Sequence, residues 1–189
     1  MSGNVDMDSL DGDIDIKAVS GTITLNKLNG DVSIKLASGD IQAMDLNGDI
    51  NIKASSGNIV LKNSKGTFKV KNASGDIKAF DMKITGDGYF KVASGNIAVS
   101  LADSLSSDLT LASASGDAVL DYQGNAVKGS FEFKALTDNG RIICPFKFDK
   151  EEVTEEKWGK KYSVKSFKKG GDKPFIHIKT ATGKAVLKK

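Results

Sequence analysis

Apolar and polar residues alternate in short bursts along most of the chain, and the bursts recur every nine residues. In Ile14-Asp15-Ile16, Ile23-Thr24-Leu25, Val32-Ser33-Ile34 and Ile50-Asn51-Ile52 one polar residue separates two aliphatics, the period-two signature of a strand with one buried face. A further apolar residue stands at the eighth place of many units, as in Leu10, Val19, Leu28, Ala37, Leu46 and Ala73. Each unit is therefore expected to point about three side chains inward and then to turn.

Glycine marks the turns, at 3, 12, 21, 30, 39, 48, 57, 66 and 75. The residues before these glycines fall into two alternating sets. Ser2, Ser20, Ser38, Ser56 and Ser74 form one, and Asp11, Asn29, Asn47 and Lys65 the other, so the true repeat is 18 residues. A unit this short cannot bury its apolar face alone, whereas identical units stacked about 4.8 Å apart share backbone hydrogen bonds and extend one core. The pattern predicts an all-β fold, a single-stack parallel β-solenoid (β-helix) with 18-residue coils of two short strands. An antiparallel meander would not need a strict alternation of turn type. Parallel crossovers are right-handed as a rule, which predicts a right-handed stack.

After Gly75 the Ser-Gly corner returns at Gly95 and Gly116, so each of these coils carries a small insertion. From about residue 128 the rhythm gives way to longer strands, Phe131 to Ala135, Arg141 to Phe148, Tyr162 to Phe167 and Phe175 to Thr180, around a charged stretch from Asp149 to Lys161. The expected organisation is one domain over 1–189, with regular coils over 1–127 and an irregular β C-terminal cap over 128–189. Gly3 already stands in register, so the chain is expected to be trimmed at its N-terminus, with any targeting segment outside this sequence.

Composition adds little to the fold and more to the chemistry. Two prolines against 20 glycines, 39% hydrophobic residues and no long apolar run fit a soluble repeat fold. Cys144 is the only cysteine, which excludes an intrachain disulfide, and its apolar neighbours predict a small core residue. The net charge of +3 conceals an asymmetry: residues 1–127 hold 11 lysines against 16 aspartates, a net −5, while residues 128–189 hold 16 basic and 8 acidic residues, a net +8. Every basic residue except Arg141 is lysine, which argues against bidentate recognition of phosphate or guanine.

Recurring units, ASGD at 37–40, LNGDI at 46–50, ASGDI at 73–77 and ASGNI at 93–97, resemble a bacterial adhesin family of unknown function built on SGDI/NGDI β-solenoid repeats. The tail resembles the same family in TDNGRI at 137–142, CPF at 144–146, GGDKPFIHIKT at 170–180 and ATGK at 181–184. The resemblance implies a non-enzymatic β-solenoid found in, or exported to, the bacterial cell envelope. Extracytoplasmic localisation (periplasm, cell surface or secreted) is implied with it. The shared motifs are turns, and no family catalytic residue carries over.

Periodicity lines up side chains, and two columns invite a function. Lys17, Lys35, Lys53 and Lys71 share the sixth place of alternate units and form a candidate polyanion-binding column. A solvated face that blunts edge pairing is its plain alternative, with the Asp column offsetting its field. Asp13, Asp31 and Asp49 stack beside glycines, as do Asp40 and Asp76. The GGxGxD pattern of calcium-binding nonapeptide rolls is missing, so each Asp is expected to cap its own turn. In the tail, Lys157, Trp158, Lys160, Lys161, Tyr162, Lys165, Phe167, Lys168 and Lys169 mix cations with aromatics, but Glu151, Glu152, Glu155 and Glu156 lie just upstream to neutralise them, and a nucleic-acid partner is not expected. His177, the only histidine, alternates with Ile176 and Ile178 and should face away from them.

No catalytic, cofactor-binding or metal-binding set is expected, and no cofactor. The leading function is a non-enzymatic binding or structural module of the bacterial cell envelope or surface, an adhesin, with a cell-surface glycan, an anionic envelope polymer or a protein as partner. Two alternatives stand beside it. One is a carbohydrate-active β-helix enzyme (lyase or hydrolase) on acidic polysaccharide, motivated by the lysine column. The other is a scaffold that self-associates end to end through its open strand edges.

Overall fold

The structure, a computed structural model, describes residues 2–156 and 159–189. In chain order the strands are β1 (Val5–Asp11), β2 (Ile14–Ser20), β3 (Ile23–Asn29), β4 (Val32–Ser38), β5 (Ile41–Ser56), β6 (Ile59–Lys62), β7 (Lys65–Ser74) and β8 (Ile77–Ser94). There follow β9 (Ile97–Leu101), β10 (Leu109–Ser115), β11 (Ala118–Asp121), β12 (Gly129–Leu136), β13 (Gly140–Ile143), β14 (Lys150–Glu156), β15 (Lys160–Lys169) and β16 (Phe175–Lys188).

Parallel pairing at an offset of 18 residues builds the predicted solenoid. One face stacks β1, β3, the first half of β5, β6, the first half of β8, β9 and β11. The other stacks β2, β4, the second half of β5, β7, the second half of β8 and β10. The 3rd and 5th places of each unit point inward, so Ile23, Leu25, Val32, Ile34, Ile50 and Ile52 are buried.

The eighth place corrects the sequence reading. Leu28 and Leu46 on the first face are buried, yet Val19 is 60% exposed and Ala37 and Ala73 are exposed on the second. The cause is a corner that no glycine announces: Ser9, Lys27, Asp45, Asn63 and Asp81 all have φ between 48° and 57°. One left-handed residue shifts the inward parity by a place, so the next side chain turns in. The second face lacks that residue and buries the seventh place instead, in Ala18, Leu36, Asn72 and Val92. Leu10 is 44% exposed because it lies in the outermost coil.

The Ser-Gly corner explains its own glycine. At Gly57, with φ +115°, an added Cβ would overlap the carbonyl of Gly39 in the rung before. The rungs approach too closely there for any side chain. Gly21, Gly39, Gly75, Gly95 and Gly116 repeat the contact, and Gly183 continues it onto Gly116.

That last contact exposes an unpredicted topology. The coil of β10 and β11 is followed in space by β16, and only then by β12 and β13. The chain leaves one rung vacant after β11, builds the next rung and the antiparallel β14–β15 hairpin, and returns to fill the vacancy with its last strand. Strands β12 to β16 thus close the stack, with the final strand inside it. Phe131 and Phe133 are buried there and Phe167 stacks on Phe131 at 4.5 Å, while Phe146 and Phe148 close over Phe167. Cys144 packs partly buried against this core, and burial pushes its thiol pKa up.

Candidate polyanion-binding face

On the second face the residues between the inward positions form columns running along the stack. Lys17, Lys35, Lys53 and Lys71 are direct neighbours in successive rungs, as expected, and Lys91 extends the column by one. The sequence reading missed Lys91 because a register shift between Gly66 and Phe68 moves it out of the 18-residue count. Beyond it the column passes through Ala112 to Lys179 and Lys134. Five consecutive ammonium groups at about 4.8 Å per rung span about 19 Å. Among the described residues only Lys17 of these five has an ion-pair partner, Asp15 at 2.7 Å, and both are well exposed. Such a surface pair is weak.

The Asp column offsets this field only weakly. Asp13 precedes Lys17 by four residues, about 13 Å along an extended strand, beyond the roughly 8 Å screening length of physiological salt. The carboxylates have another task, which replaces the expected capping of their own turns. The backbone N–H of Asp31 donates to Asp13 Oδ1 at 2.9 Å, and that of Asp49 to Asp31 Oδ1 at 3.0 Å. On the Ser-Gly side the ladder runs through Asp40, Asn58, Asp76, Asn96 and Asp117 to the N–H of Lys184. Each side chain ties its rung to the next, and on the Ser-Gly side the alternation of Asp with Asn keeps like charges two rungs apart. Among the described residues no group of three or more His, Cys, Asp or Glu is arranged to hold a metal ion.

A family model described as Toastrack DUF4097 matches residues 2–140, which spans the regular coils and the first strand of the cap, β12. The chain belongs to the Toastrack DUF4097 family. This is a domain family of unknown function. No curated protein and no solved structure matches the chain.

Outside the Toastrack match lie most of the tail lysines, and the structure occupies several of them. Lys165 pairs with Glu151 at 2.7 Å and lies 5.3 Å from the centre of the Phe148 ring, while Lys134, inside the match, pairs with Glu156. Lys169 covers Phe146 at 4.0 Å. Lys157 and Trp158 lie outside the described residues. His177 does face away from the buried Ile176 and Ile178. Its Nε2 sits 3.4 Å from Glu132, and burial depresses its pKa despite that carboxylate.

Proposed function

We propose that this Toastrack domain is a non-catalytic binding or structural module of the bacterial cell envelope, an adhesin in role, whose second face holds an anionic envelope polymer. The lysine column from Lys17 to Lys91 carries this reading: one ammonium per rung on a rigid sheet gives a linear array that a polymer of closely spaced anions can follow. Weak single contacts then add along the chain of the ligand without a deep pocket. The repeat's carboxylates support a structural rather than chemical use, since Asp13, Asp31, Asp40, Asp76 and Asp117 each accept a backbone N–H of the next rung. The extracytoplasmic setting rests on the resemblance of the repeat units to envelope adhesins. Fractionation of the producing bacterium, with protease added to intact cells, tests the setting. Recovery in the envelope fraction, or release into the medium, is expected, and recovery from the cytosol alone overturns it.

A further inference from the structure

The regularity of the second face fails at one place, where two insertions converge. The bulge opposite Gly66 and Phe68 adds residues before Gly88, and the segment between β9 and β10 adds a loop ending at Asp108. In repeat folds, insertions gathered on one face commonly mark the binding surface. Between them stands Tyr89, the one aromatic ring on the outward columns of this face from β2 to β10. It borders a groove lined by Thr67, Lys69, Lys71, Asp87, Asp108 and Thr110. The Lys71 ammonium lies 5.4 Å from the centre of the Tyr89 ring. Asp108 is held in place by Lys173 at 2.8 Å and by the N–H of Phe175 at 2.7 Å.

We infer that this groove is a subsite for a hexuronate, a pyranose ring bearing a carboxylate, within an acidic polysaccharide; the inference rests on the polyanion reading of the lysine column. The ligand carboxylate pairs with Lys71 and Lys69 and draws the Lys71 ammonium off the Tyr89 ring. The apolar C–H face of the sugar then packs on that ring, and its hydroxyls donate to Asp87 and Asp108. The lysine column supplies attraction to any linear polyanion, and Tyr89 makes the distinction between a sugar and a bare chain of carboxylates. No bond is made or broken.

Titration with polygalacturonate and with polyacrylate separates the two parts. Tyr89→Ala is expected to weaken polygalacturonate binding about fivefold while polyacrylate binding changes by less than about twofold, with Tyr89→Phe restoring the preference. Galacturonate monomer, followed by the ring resonances of Tyr89, is expected to shift them in a saturable way. An equal effect on both polymers, or no saturable shift at Tyr89, overturns the subsite. Lys35→Glu/Lys53→Glu addresses the column: unchanged binding of both polymers refutes the column while the monomer titration still decides the subsite. Thermal unfolding of each variant confirms that it is folded.

Discussion

Replacing Gly57 by alanine separates two demands that the stacked corner makes on glycine. The first is conformational, because φ +115° lies in a region that residues with a Cβ adopt at about 1–3 kcal/mol. The second is steric, because the new Cβ would overlap the Gly39 carbonyl and force two rungs apart. That movement strains the bonds from Gly39 N–H to Ser56 and from Gly57 N–H to Ser74, each 3.1 Å long and each contributing about 1 kcal/mol. Gly57→Ala should therefore cost about 3–5 kcal/mol. Gly12 is the internal control: its φ is +134°, yet an added Cβ meets nothing within 4 Å, so Gly12→Ala should cost only the conformational part, about 1–3 kcal/mol. Urea unfolding followed by circular dichroism gives both values from midpoint and slope. Equal losses in the two variants would refute the claim that close approach of the rungs, rather than backbone angle, fixes glycine in the column.

Three further outcomes follow from the corners and the ladders. Lys27 sits in the left-handed region at φ 52°, so Lys27→Gly should raise stability by about 0.5 kcal/mol, whereas Ser33→Gly in mid-strand should lower it by about as much; paired urea curves read the difference. Asn72 is buried and its Nδ2 donates to the carbonyls of Gly57, Ser74 and Gly75, so Asn72→Ala should cost about 1–3 kcal/mol in the same assay. Asp108 has its pKa held down first by Lys173 and then by the N–H of Phe175. A depressed folded pKa means stability present above the unfolded Asp value, about 3.9, and lost as pH falls through the folded one. Asp108→Asn should flatten the pH dependence of the unfolding midpoint below about pH 4, and an unchanged slope there would contradict the pairing.

Most of the fold was legible because the repeat is a one-dimensional problem. Glycine spacing and the Ile-x-Ile bursts each demand the neighbour one coil away, so the parallel stack follows from local pattern alone. The hidden corner was not legible because Ser9, Lys27, Asp45, Asn63 and Asp81 share a conformation and no residue type. Its effect on parity is why Val19 and Ala37 were misplaced while Leu28 and Leu46 were not. The late return of β16 was also hidden, since Ile176 and Ile178 would satisfy any rung with aliphatic neighbours. Its pairing with β10 and β11 on one side and β12 and β13 on the other, with Gly183 set between Gly116 and Gly140, fixes its position. At the candidate face the first four lysines could be counted from the sequence, but Lys91 needed the bulge, and Lys179 and Lys134 needed the strand order. The Asp ladders were visible as columns; their bonds run between rungs because parallel stacking brings the next N–H to each carboxylate.

The most direct test of the functional account is the affinity of the domain for polygalacturonate, measured by calorimetry across a salt series, beside Lys35→Glu/Lys53→Glu. The lysine column predicts binding that weakens steeply as the screening length shrinks from about 10 Å at 0.1 M salt towards about 3 Å at 1 M, and a loss of at least about tenfold in the doubly reversed variant. Affinity that is indifferent both to salt and to reversal of Lys35 and Lys53 would contradict it.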